Sequence, residues 1–333
     1  MSDRPIRANP SNAVRLQNWE WVEKVVDETT VDVGFDEHHP KEPAAAHHRG
    51  TVYVVSAVWN EYRFPPSHKE LVLLRANSPT GPFEQIGRVT DGNGFTGHAP
   101  GILIEDGELN VLYSHRVDGQ DDIRLKRTPV DSIPVSPEGW NDEGVVLRDA
   151  RDPGVVKSPG GSYHVVAKDE RADGVVRVTG PALTEMGTRR TTMYTNSFGE
   201  APEVVPKSGA DGYWLVTAEG IGEGPRFSAA GEGDTLRDEF EGYYVLGTHR
   251  GLNGIRKPFH EEWTLHHDYL YDSGGVGLYR KEDRVFAYFE AGNGSQFSIG
   301  VGVLFDEATS PREWASHREI TRSQEPYTGR QEP

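Results

Sequence analysis

The chain has 333 residues and a formal net charge of −17, a surface sign that repels phosphate backbones and argues against nucleic acid as a partner. It has no cysteine, which excludes disulfides, thiolate metal sites and a cysteine nucleophile together. It has no apolar run of 18 residues, so no helical membrane span is expected.

With 38 Gly and 22 Pro, the composition predicts many short strands joined by tight turns. Residues 1–31 carry Trp19 and Trp21 and read as a lead-in packing outside the main fold. Nothing apolar follows Met1-Ser2-Asp3-Arg4-Pro5, so the sequence as it stands reads as cytoplasmic. A repeat then begins. Glu42-Pro43 leads into the strand Gly50 to Val55, and Ala99-Pro100 into Gly107 to Tyr113. Asp152-Pro153 leads into Gly161 to Val166, and Ala201-Pro202 into Gly212 to Val216. The prolines stand 57, 53 and 49 residues apart, the length of one propeller blade.

A second signal falls later in each unit. Ser78-Pro79-Thr80-Gly81-Pro82-Phe83 recurs as Ser136-Pro137-Glu138-Gly139-Trp140 and as Ser310-Pro311-Arg312-Glu313-Trp314. Its offset from the proline marker places the start of a fifth unit near residue 274, where Gly274 to Tyr279 and Arg284 to Phe289 read as two strands. Runs rich in β-branched and aromatic residues fill the gaps: Glu70 to Ala76, Asp122 to Thr128, Gly174 to Thr179, Glu241 to Leu246 and Ser298 to Phe305. The expectation is an all-β, five-bladed β-propeller of four-stranded antiparallel blades over 32–320, with a C-terminal tail at 321–333. The stretch from Gly220 to Gly233 reads as a loop over one mouth.

In a propeller the start of each innermost strand faces one central funnel, so residues 50 apart in sequence meet there. Three of the five starts carry an acid: Glu42, Asp152 and Glu200. Glycoside hydrolysis needs one carboxylic acid to protonate the leaving oxygen and a second carboxylate as base or nucleophile. A third acid nearby raises the donor's pKa or binds sugar hydroxyls.

These segments resemble the five-bladed propeller glycosidases of glycoside hydrolase families 43, 62, 32 and 68. Arg151-Asp152-Pro153 is similar to the Arg-Asp-Pro of the fructofuranosidase branch. Glu200-Ala201-Pro202 is similar to its Glu-Cys-Pro, or to the Glu-Gly-Pro of the arabinofuranosidase and xylosidase branch. Phe95-Thr96-Gly97-His98-Ala99 resembles Phe-Ser-Gly-Ser-Ala, and Ser78 to Phe83 the Ser-Pro-x-Gly-Pro-Trp turn. The resemblance implies Glu200 as general acid, Asp152 as substrate-binding or pKa-tuning acid and Glu42 as base or nucleophile. The family has Asp at the first position, so Glu42 is a departure, and Asp36 is its rival for the role. A family His near the fifth blade start is replaced by the surroundings of Gly274, with Asp272, His266 and His267 nearby.

Arg151, His98, Trp59, His267 and Asp272 complete the expected substrate contacts. Tyr62 and Trp214 are further aromatic candidates, read first as blade packing. The pairs His38-His39 and His47-His48 cannot chelate as units on an extended strand, because adjacent side chains point to opposite faces. No cofactor is expected, though the central channel has room for a structural cation. The expected activity is hydrolysis, or transfer, of a small furanose- or pentose-containing sugar. The alternative is a diverged propeller that binds a sugar or small metabolite without cleaving it.

Overall fold

The computed structural model describes residues 13–15, 22–61, 68–92, 97–171, 174–194, 200–206, 213–218, 242–248, 261–266, 275–292 and 297–306. The other residues, including the Gly220–Gly233 stretch, Ser310 to Trp314 and the 321–333 tail, lie outside these. Among the described residues the regular structure is all strand, apart from single 3-10 turns at Val130–Ser132 and Pro137–Gly139.

The strands are β1 (Ala13–Arg15), β2 (Val22–Val26), β3 (His39–His48), β4 (Thr51–Trp59), β5 (Lys69–Ala76), β6 (Glu84–Arg88) and β7 (His98–Glu105). They continue as β8 (Glu108–Val117), β9 (Gln120–Pro129), β10 (Asn141–Leu147), β11 (Ala150–Lys157), β12 (Tyr163–Asp169), β13 (Gly174–Gly180) and β14 (Thr191–Tyr194). The last are β15 (Glu200–Pro206), β16 (Tyr213–Ala218), β17 (Gly242–Thr248), β18 (Glu261–His266), β19 (Val276–Lys281), β20 (Arg284–Gly292) and β21 (Phe297–Asp306).

They form five sheets in a propeller arrangement: I (β3–β6), II (β7–β10), III (β11–β14), IV (β15–β18 with β1) and V (β19–β21 with β2). The first strand of each sheet contacts that of the next, in the closed cycle β3, β7, β11, β15, β19, β3. Sheets I, II and III are four-stranded antiparallel meanders and sheet V is antiparallel with β2 as its fourth strand, but one sheet corrects the four-stranded expectation. Sheet IV has five strands, because β1 adds to β18 in parallel.

The N-terminal segment also differs from expectation. β2 is a strand of sheet V, pairing with β21, so the 1–31 lead-in is not wholly outside the propeller. Val26 is fully buried in a core cluster that includes Val54, Val72, Tyr288 and Ile299. The ring is thereby closed by strands from both ends of the described chain.

Most inner strands are apolar on both faces because each sheet is sandwiched between two others. In β4, Val52, Val54 and Val58 pack toward sheet V, while Tyr53, Val55, Ala57 and Trp59 pack toward sheet II. Sheets II and III meet through Leu112, Ile123, Leu125, Val155, Val165 and Val178. Full burial of each such side chain is worth about 1.5–3 kcal/mol. The repeated Ser-Pro turn has a defined duty here. Its terminal aromatic plugs the seam to the preceding sheet: Phe83 meets Tyr288 edge-on at 5.9 Å, and the Trp140 indole donates to the Arg88 carbonyl at 2.9 Å.

Candidate active site

The residue before each proline marker has a left-handed backbone: Glu42 (φ 46), Ala99 (φ 42), Asp152 (φ 56) and Ala201 (φ 41). Each sits at a break in the ladder between the first and second strand of its sheet. A proline supplies no N–H, so the ladder loses a bond there, and the bulge turns the preceding residue's N–H out of the sheet. Non-glycine residues rarely adopt this conformation, which costs on the order of 1–3 kcal/mol each and clusters at functional sites.

The displaced N–H groups are satisfied in a repeating way, by a side-chain oxygen from the preceding sheet. Ala99 N donates to Glu42 Oε2 at 2.9 Å, Asp152 N to Ser114 Oγ at 2.8 Å, and Ala201 N to Asp152 Oδ2 at 3.3 Å. Sheet V breaks the pattern with Gly275-Val276 in place of X-Pro. A Cβ on Gly275 would lie 2.6 Å from the Glu42 Cα, so sheet V brings bare backbone against Glu42.

The three acids do not share one register, which refines the sequence reading. Glu42 and Asp152 stand immediately before their prolines, whereas Glu200 stands one residue earlier in its bulge, paired with Ala218. Its register partners are Lys41, His98 and Arg151, paired with Ala57, Ser114 and Lys168. One ring of inner-strand positions therefore holds Lys41, His98, Arg151 and Glu200, and the next holds Glu42, Ala99, Asp152, Ala201 and Gly275. The Glu200 side chain lies outside the described residues, as do His267, Asp272 and Tyr62.

Around Glu42 the electrostatics are specific. Its residue is part-exposed, yet it lies deep enough that desolvation works against its charge. Lys69, then His98 and Lys41, and the Ala99 N–H outweigh that cost and hold the carboxyl below the ordinary glutamate range. Lys69 is 1% exposed. Burial pulls its ammonium below the usual lysine range, against the attraction of Glu42, Asp152 and Asp121 and with the repulsion of Lys41. Their mutual attraction thus favours the carboxylate but does not fully offset the lysine's burial. Both ammonium groups, of Lys41 and Lys69, stand 4.0 Å from the centre of the Trp59 indole. Trp59 is buried and is occupied by these cations as well as lying near the site.

His98 Nε2 meets Asp121 Oδ1 at 3.2 Å, with Arg116 at 3.8 Å from the other oxygen. Burial opposes the charge on Asp121, but His98, Arg116 and Arg151 prevail and keep its carboxyl below the aspartate range. Arg151 donates to Asp152 Oδ2 at 3.0 Å and to Glu170 Oε1 at 2.7 Å. Glu42, Asp152, Arg151 and His98 therefore act on one another and on Lys69 and Asp121 within one set of charges. Asp36 is not among them: it is exposed in the turn before β3, off the inner strand. Among the described residues no group of three His, Asp or Glu is arranged to hold a metal. His47 instead stacks on Tyr279 at 6.0 Å.

Lys41, Lys69, Asp121 and Ser114 escaped the sequence reading. Lys41 had a signal, since it immediately precedes an acid already singled out. Lys69 and Asp121 had none, because only strand pairing carries them to the funnel: Lys69 lies opposite Trp59, which lies opposite His39.

The fold is that of a β-propeller, and solved structures share it. An exo-1,5-α-L-arabinanase from a bovine ruminal metagenomic library matches at a TM-score of 0.58 and 15% identity, over 83% of this chain and 98% of its own. The catalytic domain of a GH62 α-L-arabinofuranosidase from Coprinopsis cinerea matches at 0.58 and 13%, over 89% and 98%. A GH43_1 enzyme from Xanthomonas citri, crystallised with xylose, matches at 0.58 and 12%, over 85% and 90%. No family model and no curated protein matches the sequence.

Proposed function

We propose that this chain is a five-bladed propeller glycoside hydrolase, each sheet being one blade, that cleaves a small furanose- or pentose-containing sugar in its central funnel. The observation carrying this reading is the pairing of two strained, inward-placed carboxylates, Glu42 and Asp152, with Glu200 one register away. The names of the structural neighbours, arabinanase and arabinofuranosidase, support a pentose as the sugar.

In the mechanism, protonated Glu200 gives its proton to the glycosidic oxygen as the bond to the anomeric carbon breaks. Ionised Glu42 takes a proton from the water that forms the new bond, or attacks the carbon itself. Asp152, held by Arg151, orients the sugar and opposes ionisation of Glu200. The carboxyl of Glu42 sits below the glutamate range, so it serves as base or nucleophile and not as acid. The acid limb of the rate profile should accordingly lie below the glutamate range.

Turnover of Glu200→Gln and Glu42→Gln on arabino- and xylo-oligosaccharides and on activated aryl glycosides tests this. Loss of a general acid costs about 10²–10⁴-fold. Glu200→Gln should lose that much on oligosaccharides and far less on aryl substrates, whose leaving groups need no proton. Glu42→Gln should be impaired on both. Undiminished oligosaccharide turnover in Glu200→Gln would remove the acid and the mechanism with it. A second reading, sugar binding without cleavage, is favoured by the engagement of Glu42 with the Ala99 N–H and Lys69. Calorimetric binding of these sugars with no turnover by the wild type would select it.

A further inference from the structure

A lysine buried to 1% exposure costs the fold free energy that only attraction from nearby charges offsets. Lys69 begins β5, the third strand of sheet I, two strands out from the inner strand that carries Glu42. Its neighbours Leu71, Leu73 and Leu74 are fully buried, as befits a mid-sheet strand. Its side chain crosses the Trp59 ring, at 4.0 Å from the centroid, toward the inner strands. The indole face gives the ammonium a favourable surface along the way. Of the charges acting on Lys69, Glu42 is the largest and Asp152 and Asp121 follow, with Lys41 opposing. Carboxylates of sheets I, II and III thus all attract this one cation.

We propose that Lys69 is a positioning residue that steadies the Glu42 side chain where the strained bulge delivers it. The proposal rests on the two-carboxylate reading given above. Glutamate is one methylene longer than aspartate and has one more rotatable bond. The backbone at φ 46 sets only where the side chain starts. The Ala99 N–H donates to Oε2 at 2.9 Å and fixes one oxygen of the far end; in the proposal the attraction of Lys69 is the second restraint. His98 and Lys41 also bear on Glu42. On the other side of β5, Glu70 is paired with Arg88 at 3.1 Å and does not compete for Lys69.

The experiment uses the full chain carrying carbon-labelled glutamate, with the Glu42 carboxyl signal assigned by its loss in Glu42→Gln and followed against pH. An opposite charge at this range shifts a carboxyl by about 1–3 units. In Lys69→Met the Glu42 midpoint should rise by at least about one unit, and Lys69→Arg should restore most of it. If the chain turns over sugar, the acid limb of kcat/KM should move upward with the same variant. A midpoint unmoved in folded Lys69→Met overturns the proposal. If Lys69→Met does not fold, nitrogen-labelled lysine in Glu42→Gln provides the reciprocal reading. The Lys69 ammonium should then titrate at lower pH than in the wild type, and an unchanged titration is equally fatal. These titrations need no turnover. Failure of the glycosidase reading in the Glu200→Gln assay is therefore distinguishable from failure of this one.

Discussion

Two positions on the same inner strands, two residues apart, behave in opposite ways. The position before the proline marker holds Glu42, Ala99, Asp152 and Ala201, acids and small residues in a strained left-handed backbone, with Gly275 in the equivalent place of sheet V. The position after it holds Ala44, Gly101, Gly154, Glu203 and Gly277, almost uniformly small and with ordinary backbones. The first carries the proposed catalytic acids; at the second, sheet after sheet brings backbone against backbone. A Cβ on Gly101 would lie 2.1 Å from the Pro153 carbonyl oxygen, and one on Gly154 2.3 Å from that of Pro202. The propeller closes because backbone meets backbone at this level, and the site is held rigid by that closure one step away.

The comparison breaks most sharply at the contact position. Gly154→Ala adds a methyl against a fixed carbonyl and the Val166 side chain, and overpacking of this kind costs about 1–3 kcal/mol or more. Gly34→Ala has open space around its Cβ and an ordinary φ, so it should be near neutral. Urea denaturation of the two variants checks the difference. Equal stability would mean that the sheets are not locked at this level.

The contact position was legible only in part. The X-Pro pairs and the Ser-Pro turns were visible because proline and glycine are constrained by backbone geometry, and geometry repeats with the sheets. Runs such as Leu71 to Leu74 and Leu109 to Tyr113 were visible because both faces are buried. The outer strands β6 and β10 were not: Glu84–Arg88 and Asn141–Leu147 are largely polar, and their pairing comes from the neighbouring strand. The candidate site divided the same way. Glu42 and Asp152 could be found by counting from a proline. The charge state of Glu42 depends on Lys69, placed by a pairing two strands away, and no local pattern encodes that.

Glu203 is the exception at the contact position and gives a smaller effect. It is 9% exposed, on the strand that meets sheet V. Burial pushes its carboxyl well above the glutamate range, opposed only in part by the Val204 N–H. A carboxyl raised in the folded state binds its proton more tightly than in the unfolded chain. The wild type therefore loses stability as pH rises above the ordinary glutamate range toward the folded value. Glu203→Gln removes that loss. It should match the wild type near pH 4 and exceed it at neutral pH by on the order of 1 kcal/mol, the usual cost of a poorly satisfied buried polar group. Denaturation midpoints across that range provide the check, and parallel curves would count against it.

The smallest effect lies back at the strained position. Ala99 and Ala201 adopt φ 42 and 41 without contributing a side chain to the charge cluster. What they supply is the N–H that Glu42 and Asp152 accept. Glycine keeps that N–H and removes the Cβ clash of the left-handed conformation, at the cost of a freer unfolded chain. Ala99→Gly should therefore stabilise the protein by about 0.5–1 kcal/mol, measured by the same urea denaturation. The same relief at Glu42 would delete a carboxylate that accepts the Ala99 N–H and faces Lys69, so Glu42→Gly should destabilise instead. The opposite signs at one register would separate strain that merely shapes the bulge from strain that carries a charged group into the funnel.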